Sequence, residues 1–440
     1  MRIELKLLIV ILSIMSVLVV NQFQFSVSTQ LISLVIFVIL GIWYFKFEIL
    51  HPFVWLSPFI LIYYVSILVL DIFDIRSTNI SSELIFSILL ALSTLFFYFA
   101  FFSKNLLNQS FKIKKDNSLS MKLLLGLFIV LLAIIILNLL VFLNSGITTK
   151  SEMSAAGGGM NLGHVYKFFL FVSTFIFLKK IANKESISKL FFIVFIVALL
   201  ISLVLGERDI LMTLILFAIY IYYISYKPAK KNIYILAIIL ILLLPVLGHM
   251  KNIFTKDTVG MFTEYNAILA IFQGEFLSAG RNFETILHTY GKWDYFYGET
   301  ILWDLGRSIA SGSIYYVQNS IGWFNNTFHP DIVAAGRGYG FSFIAEGYIN
   351  FGYFGIVLWY LFLAILLNFF YQNSQKNSYW FVAYIYMIPI FIYIQRGDIS
   401  NIISPMLKQT LLFTIVLIIL NSFFKQLTGR KKIENINNNI

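Results

Sequence analysis

The sequence predicts an all-α, polytopic integral membrane protein, and three observations carry that reading. Of 440 residues, 59% are hydrophobic and 12% charged, about half the charged share of a soluble domain. Apolar runs of the roughly 20 residues needed to cross a bilayer recur along the chain. Lysines gather in alternate connections between those runs, the pattern of a membrane protein with a cytoplasmic face. The formal charge of +11 follows this topology and implies no nucleic-acid partner. With no cysteine, disulfides and thiolate metal sites are excluded.

The first run, MRIELKLLIVILSIMSVLVVNQF, has a basic flank and an apolar core but no small-x-small cleavage signal, so it reads as a retained helix. Counted from it, about twelve helices satisfy the span criterion. They are expected near 5–20, 31–47, 54–72, 83–102, 122–143, 165–180, 189–205, 210–226, 233–250, 341–370, 379–394 and 405–424. The stretch 190–226 is too long for one crossing, so it is expected to break at the charged residues 206–209. One set of alternate loops holds Lys46, Lys104, Lys112, Lys114, Lys115, Lys179, Lys180, Lys230, Lys231 and Lys425, which places both termini in the cytoplasm. The polar tail 425–440, ending KKIENINNNI, is expected to be disordered.

The opposite face is chemically different. Arg76, Arg208, Arg281, Arg307, Arg337 and Arg396 all fall there. Lysine and arginine serve topology equally, whereas a planar fork that grips phosphate or carboxylate at two points must be arginine. The outer face therefore reads as an anion-handling surface. Arg76 stands near Asp71 and Asp74 and is read as structural; for Arg208 and Arg396, ordinary topology charges paired with neighbouring acids remain the alternative.

Residues 251–340 form the longest connection, about ninety residues, and loops of such length are generally functional. FQGEFLSAGRNFETILHTYG has helical spacing that puts Arg281, Glu284 and His288 on one face. TILWDLGRSIASGSIYYVQNSIGWF reads as a second amphipathic piece carrying Trp303 and Arg307. Trp293, Tyr295, Tyr297, Trp303, Tyr315, Tyr316 and Trp323 crowd this segment. They form an interfacial aromatic belt, flat faces for stacking sugar rings, or both. There is no phosphate-binding loop, no His-Glu-x-x-His and no Asp-x-Asp for a metal–nucleotide-sugar complex.

GRGYGFSFIAEGYINFGYFGIVLWYLF, residues 336–362, follows this loop and carries a full carboxylate, Glu346, into an apolar run. A charge near mid-membrane costs roughly 2.5–3.5 kcal/mol on insertion scales. Ser342, Glu346 and Asn350 are four apart and form one polar stripe, expected at the outer end of the span where water reaches.

One large outer loop on a polytopic chain, with LGERDILMTL, GRGYGFSFIAEGYINFGYFG and IYIQRGDIS, resembles the Wzy-type O-antigen and oligosaccharide repeat-unit polymerases. The resemblance implies a single integral domain over 1–440 in the bacterial inner membrane, with 251–340 as a periplasmic loop. It also implies a glycosyltransferase that moves a growing glycan from undecaprenyl diphosphate onto a new undecaprenyl-diphosphate-linked repeat unit, with neither metal nor cofactor. A chain-length regulator and a flippase are the partners it suggests, beside membrane lipid. Its leaving diphosphate would be held by Arg208, Arg281, Arg307, Arg337 and Arg396, with Trp303 and Asn350 at the sugar. Arg208, Arg337 and Arg396 are expected to converge on one outer pocket. The acceptor hydroxyl needs a base, for which Glu346 and His329 come first, then Glu284 and His288. Glu346 has a structural alternative, pairing with an arginine of another helix. A flippase for the same lipid-linked sugar and an outer-face O-antigen ligase are the competing functions.

Overall fold

The computed structural model describes residues 3–103, 119–144, 158–205, 276–309, 319–334 and 338–437, with scattered single residues between 213 and 235 and at 272. The described residues form helices and no strands. α1 (Ile3–Gln22) and α2 (Val27–Tyr44) make an antiparallel pair, Ser26 capping α2 at the backbone N–H of Thr29. α3 (Pro52–Ile72) starts with proline in its first turn, where the missing N–H has no intrahelical partner to lose. α4 (Ser81–Phe102), α5 (Met121–Asn144), α6 (Gly158–Ala182) and α7 (Ser188–Leu205) follow. Four short helices come next: α8 (Leu277–His288), α9 (Glu299–Ile309), α10 (Ser320–Phe328) and α11 (Pro330–Ala334). The chain ends with α12 (Phe343–Ser374), α13 (Ser378–Tyr393), a 3₁₀ turn at Ile394–Arg396, α14 (Ser400–Pro405), a π turn at Met406–Leu411 and α15 (Leu412–Asn437).

Eight helices among the described residues are long and apolar enough to cross a membrane: α1 to α5, α12, α13 with its turn, and the continuous run Ser400–Leu427. The expected spans 165–180 and 189–205 lie inside α6 and α7, whose apolar character is weaker or shorter. Those expected at 210–226 and 233–250, and the break at 206–209, fall largely outside the described residues. The tail differs from expectation. α15 runs on to Asn437 because Arg430, Lys431, Lys432 and Glu434 are good helix formers that extend the preceding apolar turns.

The core lies where α3, α4, α12 and α13 meet. Their facing sides are closed by Phe53, Phe96, Phe99, Tyr360, Leu363 and Tyr384, all essentially without solvent contact. The rim does the opposite: α1 and α5 turn Leu8, Leu12, Ile129 and Leu137 outward, a surface suited to lipid chains.

α12 is not the single straight span that its apolar run suggests. Phe351 and Gly352 leave helical geometry, Gly352 at φ 60 and ψ −144, a region that a side chain makes very costly. The eight residues before the break fold back on those after it. A Cβ on Gly347 would stand 2.8 Å from the carbonyl oxygen of Gly355, and one on Gly355 would collide with the Gly347 carbonyl. Residues eight apart in a straight helix are about 12 Å apart along the axis, so this contact needs a hairpin and two glycines to close it. Broken helices at membrane depth occur where protein, not lipid, surrounds the freed backbone.

Candidate active site

α8 lies against α3, and a glycine sets how closely. A Cβ on Gly280 would stand 2.9 Å from the backbone oxygen of Tyr64, eight residues before the end of α3 at Ile72. At 1.5 Å per residue that is about 12 Å along the helix, so α8 is recessed below the rim of the bundle. The next residues use this position. Asn282 donates to the backbone oxygen of Gly340 at 2.5 Å, and the Arg281 guanidinium lies over the Tyr339 ring, 4.0 Å from its centroid. Glu284, buried on the same helix, pairs with Arg76 at 2.9 Å and approaches His288 at 3.9 Å. The expected face of Arg281, Glu284 and His288 is therefore divided: Glu284 is a partner of Arg76, which itself acts on Arg281 electrostatically.

The strip 338–341 connects α8 to the last turn of the chain's core. Phe341 donates its N–H to the backbone oxygen of Arg396 at 3.0 Å, and a Cβ on Gly340 would meet that oxygen at 2.5 Å. The Arg396 guanidinium lies 5.3 Å from the Tyr393 ring centroid. Tyr64 fixes the turn from below, donating to the Gln395 oxygen at 2.8 Å, while Tyr360 donates to the Gln395 side chain at 2.6 Å. Arg281 and Arg396, 115 positions apart in sequence, thus flank one strip of backbone. Arg337 immediately precedes that strip but lies, like Arg208, outside the described residues.

His329 closes the other side. Asn325 clamps Tyr339 with both amide atoms, accepting from its N–H at 2.7 Å and donating to its oxygen at 2.9 Å. This brings the His329 ring edge-on to Tyr339, centroids 4.7 Å apart, and to Phe324 at 5.3 Å. Nε2 of His329 has no hydrogen-bond partner among the described residues. Burial, then the nearby Arg281 charge, push its pKa below the usual 6.5, which keeps the ring neutral. A neutral imidazole near a guanidinium, in the tautomer that leaves Nε2 bare, can take a proton from a hydroxyl.

Glu346 corrects the sequence reading. It has no solvent contact, and neither have Ser342 and Asn350; the polar stripe faces inward, because the α12 hairpin turns it toward α9 and α14. Oε2 of Glu346 accepts from the backbone N–H of Ile399 at 2.9 Å, and its carboxyl is within hydrogen-bonding reach of Asp304. The Trp359 indole also approaches the carboxyl, although Oε1 completes no well-formed hydrogen bond among the described residues. Asp398, equally buried, accepts from Arg307 at 2.5 Å, while Ser400 accepts from the same guanidinium at 3.0 Å. Asp304 accepts from Ser320 Oγ at 2.7 Å. Three carboxyls are thus gathered together, and the Arg307 guanidinium is bonded to one of them, Asp398. Burial and the neighbouring Asp304 raise Asp398 to about 7 although Arg307 pulls it down, and burial raises Asp304 as well.

The remaining candidates are placed as follows. Arg307 is engaged by Asp398 and Ser400, away from the strip. Asn350 donates to Thr300 and to the Glu346 carbonyl, both at 2.7 Å, and accepts from Gly298 N–H at 2.8 Å, so its amide joins the loop and α9 to α12 and both its N–H groups are engaged. Trp303 packs edge-on against Phe296, 5.1 Å between centroids. Sequence reasoning missed Asp304, Asn282 and Asn325, and took Asp398 only as a possible partner of Arg396. Asp304 left a signal: with Thr300 and Ser308, each four residues away, it makes one polar face of α9, and that face is the buried one. Among the described residues no cluster of His, Asp and Glu is arranged to hold a metal.

A protein-family model described as O-antigen polysaccharide polymerase Wzy matches residues 3–427. No curated protein and no solved structure matches the chain.

Proposed function

The chain belongs to the O-antigen polysaccharide polymerase Wzy family, and from that premise we propose that Arg281, Arg396 and His329 form the transfer site for lipid-linked repeat units. The family acts as glycosyltransferases on lipid-linked oligosaccharides in a membrane. In this chain the donor is a glycan on undecaprenyl diphosphate at the outer face of the inner membrane. The acceptor is a sugar hydroxyl on the next lipid-linked unit. Its oxygen attacks the anomeric carbon of the donor and forms the new glycosidic bond. The bond from that carbon to the diphosphate oxygen breaks, and the diphosphate leaves with the electron pair. Nε2 of His329 accepts the hydroxyl proton.

One observation carries this reading: two arginines and a neutral histidine border the same strip, 338–341, into which Arg337 leads. Fixed guanidinium groups stabilise the charge that grows on a leaving diphosphate and need no reorganisation as it forms. The recess of α8 below the bundle rim suits a phosphate at the level of lipid head groups. Glu346 serves as a positioning residue, holding the Ile399 N–H and with it the turn that carries Arg396. A flippase partner and a chain-length regulator complete the system.

The test is the glycan ladder of a strain lacking the gene. Lipid A core bearing a single repeat unit supports the polymerase. Core with none attached, while long chains accumulate on the carrier, indicates a ligase. Repeat units retained on the cytoplasmic leaflet indicate a flippase. Either of the last two overturns the proposal.

A further inference from the structure

We propose that the aromatic loop between α8 and α9 is a glycan-binding lane leading to the transfer site. This rests on the polymerase reading and adds the place where the sugar rings lie. Tyr290 and Tyr297 are 60% and 75% exposed. Tyr295 stands between them, its ring centroid 6.2 Å from each. Trp293 meets Tyr295 edge-on at 5.6 Å and Trp323 at 6.4 Å. From Trp323 the rings continue through Phe328 and Phe324 to His329, with no step longer than 5.6 Å. The exposed rings at Tyr290 and Tyr297 are thus joined to the proposed base by packed rings, of which Phe324 is fully buried.

Two features separate this lane from an aromatic belt that merely sits at a membrane surface. Tyr297 has φ 47, a left-handed backbone that bulky residues avoid, and its ring is still turned outward. Strain retained at an exposed residue points to a use for its side chain. The next residue, Gly298 at φ 97, has its N–H held by Asn350, so the turn that projects Tyr297 is tied to the α12 hairpin. Second, the indole N–H of Trp293 finds no acceptor among the described residues. A tryptophan at an interface normally keeps that donor satisfied. A sugar supplies both complements: an apolar C–H face for the rings and a hydroxyl oxygen for the indole. Gly352 completes the link, since a Cβ there would lie 3.3 Å from the Tyr295 hydroxyl. The hairpin break that recesses Glu346 also makes room for the lane. The ligand class is the pyranose backbone of the growing glycan, bound outside the transfer site by stacking.

The experiment uses the full chain, purified in detergent, without any lipid donor. The probe is a set of lipid-free oligosaccharides of one or more repeat units, released by mild acid from the host's own surface polysaccharide. Tryptophan fluorescence reports binding. Saturable quenching is expected for wild type, with affinity about tenfold weaker in Tyr290→Ala and in Tyr297→Ala, the factor that about 1.4 kcal/mol of lost contact gives. Tyr297→Phe keeps the ring and is expected to keep wild-type binding. Phe192→Ala, an exposed ring on α7, controls for general effects and is expected to bind as wild type. No saturable binding by wild type, unchanged affinity in both alanine variants, or equal loss in Phe and Ala at 297 would each overturn the lane. Binding needs no turnover, so these outcomes are independent of the null-strain ladder that decides the polymerase reading.

Discussion

Replacing Glu346 separates a positioning role from a chemical one. In Glu346→Ala the Ile399 N–H loses its acceptor inside a closed space, which costs about 1–3 kcal/mol. The missing methylene adds roughly 0.8 kcal/mol. The turn from Ile394 to Ser400 would shift to recover a partner, and Arg396 shifts with it. A displacement of about 1 Å in a group that orients a reacting centre costs about a hundredfold in rate. Glu346→Gln behaves differently. Its amide oxygen can accept from Ile399, its NH₂ can donate to the Asp304 carboxyl, and one acid leaves a crowded group of three. The expected result is wild-type membrane amount and thermal stability for the glutamine variant, with chain elongation within about tenfold of wild type. The alanine variant is expected to be less stable and about a hundredfold slower. The assay is elongation of lipid-linked repeat units by purified protein, with amount and melting measured on the same preparations. A glutamine variant that is present and stable yet slower by about 10²–10⁴ would refute this reasoning and make Glu346 the proton acceptor.

The other predictions follow from the same geometry. Arg281→Lys and Arg396→Lys are expected to impair elongation strongly because a point charge cannot reproduce a two-point grip, while EDTA leaves the wild-type rate unchanged; normal lysine variants, or EDTA loss restored by magnesium, would dismiss the clamp. His329 must be neutral to act, so the rate should fall as pH drops through its lowered pKa, and the residual activity of Arg281→Gln should lose its acid limb at higher pH than wild type. Asp398 has a folded pKa of about 7 against about 3.8 unfolded. Its contribution is therefore full at low pH and lost as pH rises toward and through 7, so melting should be higher at pH 5.5 than at pH 8, with a smaller difference in Asp398→Asn. Gly352→Ala places a Cβ at φ 60 and against the Tyr295 hydroxyl, and should destabilise by about 1–3 kcal/mol, read as a lower melting temperature.

Much of the architecture was legible because one physical rule governs it: a segment in lipid must be apolar and must satisfy its own backbone. The spans from α1 to α5 were readable for that reason. The convergence expected from the sequence was of Arg208, Arg337 and Arg396, of which the first two lie outside the described residues; the approach of Arg281 to the strip that Arg396 borders was not part of it. The hairpin in α12 was not readable either. Gly347, Gly352 and Gly355 stand in a run whose hydropathy is that of an ordinary span, and only the backbone contact between the two halves reveals their purpose. Nor was the environment of Glu346. An arginine partner or water was the reasonable expectation, whereas its neighbours are an N–H 53 positions away and an acid 42 positions before it. Arg307 shows the same limit: amphipathic spacing identified its helix, but Asp398 reaches it only through the fold.

The α12 hairpin is closed by backbone against backbone at Gly347 and Gly355, with no large side chain taking part in the closest contact. Residues 289–298 rest on the hairpin through the Phe296 N–H to the Ile349 oxygen, the Gly298 N–H to Asn350, and ring contacts of Trp293, Tyr295 and Tyr297 with Tyr348 and Phe351. Tyr290 and the exposed Asp294 stand outside these contacts. The molecule thereby divides into a part that must keep its shape and a part free to diversify. Lineages whose surface sugars are under pressure to change could acquire a new repeat unit by exchanging these exposed residues.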